Sequence, residues 1–171
     1  MDPLKEYDIP FTGLKDGEHE FQFELGQAFF EATGEEEFEG GRVQATVKLD
    51  KSATMLVTNI HMEGPVALRC DHCDGPLEFM LKGDQRQIFR LTDQEEYDDD
   101  ELVSVDPHAH SVNLTHYLYE CLRLAVPARH VHATGQCDPE VEQALGRLAI
   151  EHEPVPDPRW EALEQLKNKR P

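Results

Sequence analysis

Polar and apolar residues alternate along Glu18-His19-Glu20-Phe21-Gln22-Phe23-Glu24-Leu25. A period of two puts one face of a strand in a core and the other in water. The same alternation returns in residues 43–49 and 55–62, and the polar residues between those runs predict an antiparallel hairpin. A third strand, 66–70, leads straight into Cys70-Asp71-His72-Cys73. A fourth leaves that turn at 77–81 and continues toward Ile88 and Phe89. Residues 5–24 read as extended throughout. Residues 27–33, with Phe29 and Phe30, read as a short helix, and Glu35-Glu36-Glu37 as a solvated loop.

After residue 110 the period changes. Leu114, Tyr117, Leu118, Cys121, Leu122 and Ala125 form one apolar stripe at helical spacing. Asn113 is a good N-cap for a helix over 114–125, and Pro127 stops it. Cys121 lies on the stripe and reads as a buried core thiol. A histidine-bearing loop follows, then a helix over 139–149. The stretch Glu153-Pro154-Val155-Pro156-Asp157-Pro158 reads as a linker, and 159–167 as a short amphipathic helix carrying Trp160, Leu163 and Leu166 on one side. The expected fold is α+β: a mostly antiparallel sheet from residues 5–90 with C-terminal helices packed on it. Residues 1–152 are expected to form one domain, and 153–171 a linker and terminal helix. No internal repeat appears.

Charge narrows the partners. The chain of 171 residues has a formal net charge of −19. Residues 1–110 hold 9 Lys and Arg against 26 Asp and Glu, whereas residues 111–171 hold 7 against 9. The first part repels a phosphate backbone, and its acidity reads equally as a surface suited to solubility or a salty cytoplasm and as a face for a basic protein partner. Asp98, Asp99, Asp100 and Glu101 close a segment with seven acidic residues in nine positions, 93–101, and are the candidate contact for such a partner. The segment has neither the spacing nor the glycine of an EF-hand loop. If RNA is bound instead, the cations available are Arg129, Arg159, Lys167, Lys169 and Arg170, with His130 beside them. No apolar run is long enough to span a membrane, and the N-terminus lacks the basic and apolar regions of a secretory signal. The expected location is the cytoplasm.

In a reducing compartment, grouped cysteines are metal ligands or redox groups more often than disulfides. Cys70 and Cys73 form a C-x2-C pair flanked by strands, which is half of a tetrahedral zinc site. A thioredoxin-type redox pair needs to open a helix, and Asp74-Gly75-Pro76 forbids one here. The missing donors lie in Pro127-Ala128-Arg129-His130-Val131-His132-Ala133-Thr134-Gly135-Gln136-Cys137. This stretch offers His130, His132 and Cys137. His132 and Cys137 are five apart and reach one ion through the Thr134-Gly135 turn, completing a Cys3His set. Four protein donors leave no open position for water, so such a zinc ion is structural. No Ser/His/Asp constellation, nucleotide loop or phosphate-binding glycine pattern appears, and the expectation is a non-enzyme.

These residues resemble the YceD family, the large ribosomal RNA subunit accumulation proteins. The likeness lies in the order of five features. These are Val66-Ala67-Leu68-Arg69-Cys70-Asp71-His72-Cys73, an acidic loop, Leu124-Ala125-Val126-Pro127, Val131-His132 followed by Cys137, and Asp157-Pro158-Arg159-Trp160-Glu161-Ala162-Leu163. The opening Ile9-Pro10-Phe11-Thr12-Gly13-Leu14-Lys15-Asp16-Gly17 is similar to the branch found in Bacteroidetes-like bacteria. The resemblance implies His132 rather than His130 as the histidine ligand. It also departs from many members at His72, where they carry Arg, so His72 competes as a ligand. It implies a role in 23S rRNA accumulation and large-subunit biogenesis but supplies no mechanism; on charge grounds the partner is a basic ribosomal protein or assembly factor or, alternatively, 23S rRNA itself.

Overall fold

The computed structural model describes residues 3–34, 37–93 and 102–149. The chain divides into two compact units, Met1–Cys137 and Asp138–Pro171. The first opens with a 3-10 helix, Pro3–Tyr7, then runs β1 (Asp8–Pro10), β2 (Gly17–Leu25), α1 (Gln27–Thr33), β3 (Gly40–Gly41), β4 (Val43–Lys51), β5 (Met55–Arg69), β6 (Pro76–Leu91), β7 (Leu102–Val105), β8 (Ser111–Asn113) and α2 (Thr115–Ala125). The second contributes α3 (Pro139–Leu148). The main sheet has the order β2-β4-β5-β6-β7, with β3 added to β5. All its pairs are antiparallel except β6 with β7. A second, two-stranded ribbon joins β1 to β8. The α+β class with a mostly antiparallel sheet is as the alternation implied.

The period-two pattern is read directly in the burial. Val43, Ala45, Val47 and Leu49 of β4 are buried while Gln44, Lys48 and Asp50 are exposed. One face of the sheet therefore packs under α2, which inserts Leu118, Cys121 and Leu122. Each fully buried leucine or phenylalanine there contributes about 1.5–3 kcal/mol. Tyr7, Phe29 and Phe30 extend the core as an edge-to-face chain, with centroids 5.1 and 5.7 Å apart, a geometry that adds about 0.5–1.5 kcal/mol per pair. The one buried hydroxyl on β5, Thr58, is satisfied by donating to the Gln87 carbonyl at 3.1 Å.

Four details differ from the sequence expectations. Residues 5–7 are helical rather than extended, which turns the Tyr7 ring into the core and lets its hydroxyl donate to the Glu24 carbonyl at 3.3 Å. Burial and the nearby Glu6 carboxylate push the Tyr7 phenol up from its usual range. The expected strands 55–62 and 66–70 are one strand, because Glu63-Gly64-Pro65 does not break it. Gly64 has φ +158°, and a Cβ there would lie 2.4 Å from the Arg42 carbonyl oxygen, so only glycine lets β5 pass so close to the start of β4. Pro65 has no amide to offer, but its carbonyl accepts the Arg42 N–H at 2.9 Å. Third, the sheet does not end near residue 90, since β7 adds a parallel strand. Fourth, α2 begins at Thr115 with Leu114 in the cap position, and Asn113 acts from two residues before the helix. Its side chain accepts the Thr115 N–H at 3.0 Å and donates to the Leu4 carbonyl at 3.0 Å and to Asp8 at 2.7 Å.

In the second unit Asp138 caps α3 by accepting the Glu140 N–H at 2.8 Å, with Pro139 in the first turn. Glu35 and Glu36 of the expected solvated loop, the acidic residues 94–101, the expected linker at 153–158 and the expected helix at 159–167 lie outside the described residues. Among the described residues no helix is long and apolar enough to cross a membrane.

Candidate metal centre

β5 and β6 run together to their shared end, where Arg69 pairs with Pro76. The six residues between them form a tight knuckle. Cys70 donates its N–H to the Gly75 carbonyl at 2.9 Å, and Asp74 donates to the Cys70 carbonyl at 2.8 Å. The turn needs a left-handed residue, and Asp74 supplies it at φ +56°, a conformation that Asp tolerates better than most side chains. Arg69 braces the turn from outside, donating to the Asp74 carbonyl at 3.0 Å and to the Glu39 carboxylate at 2.7 Å.

Pro127 ends α2 and sends the chain back past this knuckle. Asp71 donates its N–H to the His130 carbonyl at 3.0 Å and accepts the His130 N–H on its carboxylate at 2.7 Å. A turn then closes with Gln136 N–H on the Ala133 carbonyl at 3.0 Å, using Gly135 at φ +81°, and returns Cys137 to the knuckle. The sulfurs of Cys70, Cys73 and Cys137 and a ring nitrogen of His132 lie within 4.8 Å of one another. Cys70 and Cys73 are buried; His132 and Cys137 are half-buried.

This cluster can hold a metal ion, and its edges fit zinc. Zinc–sulfur bonds of ~2.3 Å and a zinc–nitrogen bond of ~2.0–2.1 Å in a tetrahedron give S···S edges of ~3.8 Å and S···N edges of ~3.6 Å. Here Cys70 Sγ to Cys137 Sγ is 3.9 Å, Cys73 Sγ to His132 Nδ1 is 3.4 Å, and Cys137 Sγ to His132 Nδ1 is 3.8 Å. The other ring nitrogen, Nε2, lies 3.0 Å from the Pro76 carbonyl. A carbonyl only accepts, so Nε2 carries the proton and Nδ1 turns its lone pair toward the sulfurs. Metal-binding histidines are commonly oriented by such an outer hydrogen bond.

The electrostatics of the cluster favour a cation. Burial alone would raise the Cys70 thiol, but the backbone amides of His132, Cys73 and His72 outweigh it and pull the thiol down to about 6. Cys137 is pushed up to about 12 by burial and by its Cys73 and Cys70 neighbours. The Pro76 carbonyl, opposed by burial, raises His132. One thiolate thus forms readily, while a further negative charge in the same cage is resisted. A divalent ion at the centre removes that resistance.

The alternative histidines fall elsewhere. His130 is held by the Asp71 carboxylate and the Pro127 carbonyl, outside the four-donor group. His72 comes near Cys137 but not into that group. Cys121 is buried under α2, where desolvation raises its thiol to about 11. Arg129 is exposed. Asp98, Asp99, Asp100, Glu101, Arg159, Lys167, Lys169 and Arg170 lie outside the described residues. Sequence reasoning missed Asp71 and the Pro76 carbonyl as supports. The available signal was an acid lodged between two cysteines on a turn too short to need it.

The family model for "Large ribosomal RNA subunit accumulation protein YceD" matches residues 58–167. That span contains the knuckle, α2 and the returning loop. No curated protein and no solved structure matches the chain.

Proposed function

The chain belongs to the YceD family, and from that membership we propose that it is a non-enzymatic factor in 23S rRNA accumulation and large-subunit biogenesis. One structural zinc ion, held by Cys70, Cys73, His132 and Cys137, fastens the β5–β6 knuckle to the loop after α2. The observation that carries this reading is the closed Cys3His donor set inside the family-matched span. Such a set orders a fold and leaves no position for an activated water. The residues around it hold and orient: Pro76 sets the His132 ring, and Asp71 docks the loop.

The partner is a basic ribosomal protein or assembly factor, met by the acidic side chains of Asp98, Asp99, Asp100 and Glu101. The net charge of −19 supports this reading, because such a field attracts cationic proteins and repels bare RNA. The test has two arms. Metal analysis of protein purified without chelator should find about one zinc per chain, as four protein donors around one ion require. Replacing the four acids by Asn and Gln should weaken capture of ribosomal proteins at low salt, where charge attraction reaches beyond ~10 Å. Unchanged capture together with weakened binding to 23S rRNA fragments on neutralising Arg129, Arg159, Lys167, Lys169 and Arg170 would instead establish direct RNA contact.

A further inference from the structure

β6 is sixteen residues long but is paired on both sides only at its end. β5 accompanies it throughout, whereas β7 pairs with Ile88–Leu91 alone. Among the described residues no strand and no backbone hydrogen bond reaches its outer edge between Leu77 and Arg86. Open edges of this length are normally blunted, covered or used. This one is lined instead by a groove of about 340 Å³, bounded by Lys82, Gly83, Asp84, Gln85 and the end of α2 at Leu124 and Ala125. Two large apolar side chains stand exposed beside it, Met80 at 61% and Leu124 at 75%.

We infer that this edge is a homodimer interface, in which β6 of one copy pairs antiparallel with β6 of a second copy about a two-fold axis through Gly83. The charges select that register. The solvent-face residues are Met80, Lys82, Asp84 and Arg86, alternating with the inward Leu81, Gly83 and Gln85. With Gly83 opposite its own copy, Lys82 faces Asp84 twice, and Met80 twice lies against the aliphatic stem of Arg86. Centring the pair on residue 82 would set Lys82 against its own copy. Centring on residue 84 would set Asp84 against its own copy and Lys82 against Arg86. A shift of one residue would mix the two faces of the sheet. Centring on Gln85 would also set Asp84 against Arg86, but it runs Lys82 toward Ile88, where β7 already holds the edge. The register on Gly83 is the self-complementary one that the open edge accommodates, as an isologous interface demands.

The same axis accounts for Leu124. α2 lies directly over Gly83, where an added Cβ would stand 2.8 Å from the Ala125 Cβ and 3.3 Å from the Cys121 carbonyl oxygen. In a continuous two-copy sheet both α2 helices are on one side, and their ends meet above the Gly83 pair. Leu124 of each copy is then covered by the other. A short run of strand and one leucine per copy make a smaller contact than obligate dimers use, so the pair forms and dissociates with concentration. Two chains of net charge −19 also repel, so salt that screens this field strengthens the dimer.

Sedimentation across a concentration series tests the register. Wild type should shift from monomer to dimer, more readily as salt rises. Lys82→Asp and Asp84→Lys should each weaken self-association at least about tenfold, because both cross-strand pairs become like-charged. An equimolar mixture of those two variants should dimerise again. One copy then carries aspartate at both positions and the other lysine at both, so each cross-strand pair unites opposite charges. Leu124→Asn, which leaves the sheet untouched, should weaken the wild-type dimer without lowering thermal stability. A wild type that stays monomeric throughout overturns the inference. So does self-association that survives both charge reversals, or a mixture no more dimeric than its components.

Discussion

Asp71 and His130 grip each other in both directions: the Asp71 amide donates to the His130 carbonyl at 3.0 Å, and the Asp71 carboxylate accepts the His130 amide at 2.7 Å. This reciprocal clasp joins the knuckle to the returning loop without any metal. It holds His132 and Cys137 near Cys70 and Cys73 before an ion arrives, which lowers the ordering cost of binding.

Asp71→Ala should therefore weaken the fold slightly and the metal site in kinetic terms. Losing a hydrogen bond to a charged acceptor costs ~1.5 kcal/mol, or a melting temperature lower by about 3–6 °C for a chain of this size. Zinc should still load to one equivalent but leave faster into a chromogenic chelator. Asp71→Asn keeps an acceptor and should lie between the two. If Asp71→Ala releases zinc at the wild-type rate, the clasp does not support the site.

Cys137→Ser and Cys121→Ala separate the proposed metal thiols from the core thiol. Cys137 lies 3.9 Å from Cys70 and 3.8 Å from His132 Nδ1, whereas Cys121 packs beneath α2 against Gly83. The first variant should lose most of its zinc and melt below wild type, because an ion held by the clasped loop adds its binding free energy to the folded state alone. The second should keep one equivalent and lose ~1 kcal/mol for a small cavity. Full zinc in Cys137→Ser would remove that residue from the ligand set.

Acid should expose the unequal thiols of the metal-free chain. Cys70 falls from the ordinary 9.0 to about 6, so the folded state holds fewer protons than the unfolded state between those values. Its contribution to stability is complete above pH 9 and is lost as pH falls through 6. Cys137, raised to about 12, has the opposite sign: its contribution is complete below pH 9 and is lost as pH rises toward 12. His132, also raised, contributes below its ordinary 6.5 and loses that as pH rises through its folded value. Thiolate ultraviolet absorbance should show one group titrating near pH 6, absent in Cys70→Ser. A chain with no thiolate below pH 8 would contradict the role given to the His132, Cys73 and His72 amides.

Gly64→Ala should be among the most damaging single-methyl changes in the sheet. Its Cβ would meet the Arg42 carbonyl at 2.4 Å and the Val43 Cα at 2.8 Å, both backbone atoms that cannot swing aside. Overpacking of this kind costs ~1–3 kcal/mol. Equilibrium denaturation should show a lower midpoint with an unchanged slope. Wild-type stability in the variant would mean that β5 does not cross the start of β4 so closely.

Much of the fold is legible in the chain itself. Alternation locates β2 and β4, the helical stripe locates α2 with Cys121 inside the core, and the two-residue cysteine spacing locates the knuckle. The misses share a cause. Gly64 and Pro65 read locally as a break, yet the strand continues because its neighbour changes from β4 to β3 at that point. Tyr7 reads as extended, yet the core pulls its ring inward through a 3-10 turn. β7 is four residues long and parallel, so neither its length nor its pairing leaves a periodic trace. Asp71 and the Pro76 carbonyl act through contacts nearly sixty residues distant, and no local pattern records those.

The long β5–β6 hairpin also sets an order of events during synthesis. Its strands are adjacent in sequence and pair from Met55 with Arg90 down to Arg69 with Pro76, so they close within microseconds of leaving the ribosome. Cys70 and Cys73 are presented together at that moment as a two-thiol hook. Cys137 follows Cys73 by sixty-four residues, about 3–13 s of translation at ~5–20 residues per second. A nascent chain therefore offers any passing ion two sulfurs first and a complete cage only after the returning loop emerges. On the proposed zinc reading, tight binding would mark a chain translated past Cys137, and fragments that stop earlier would hold metal only as loosely as two thiolates allow.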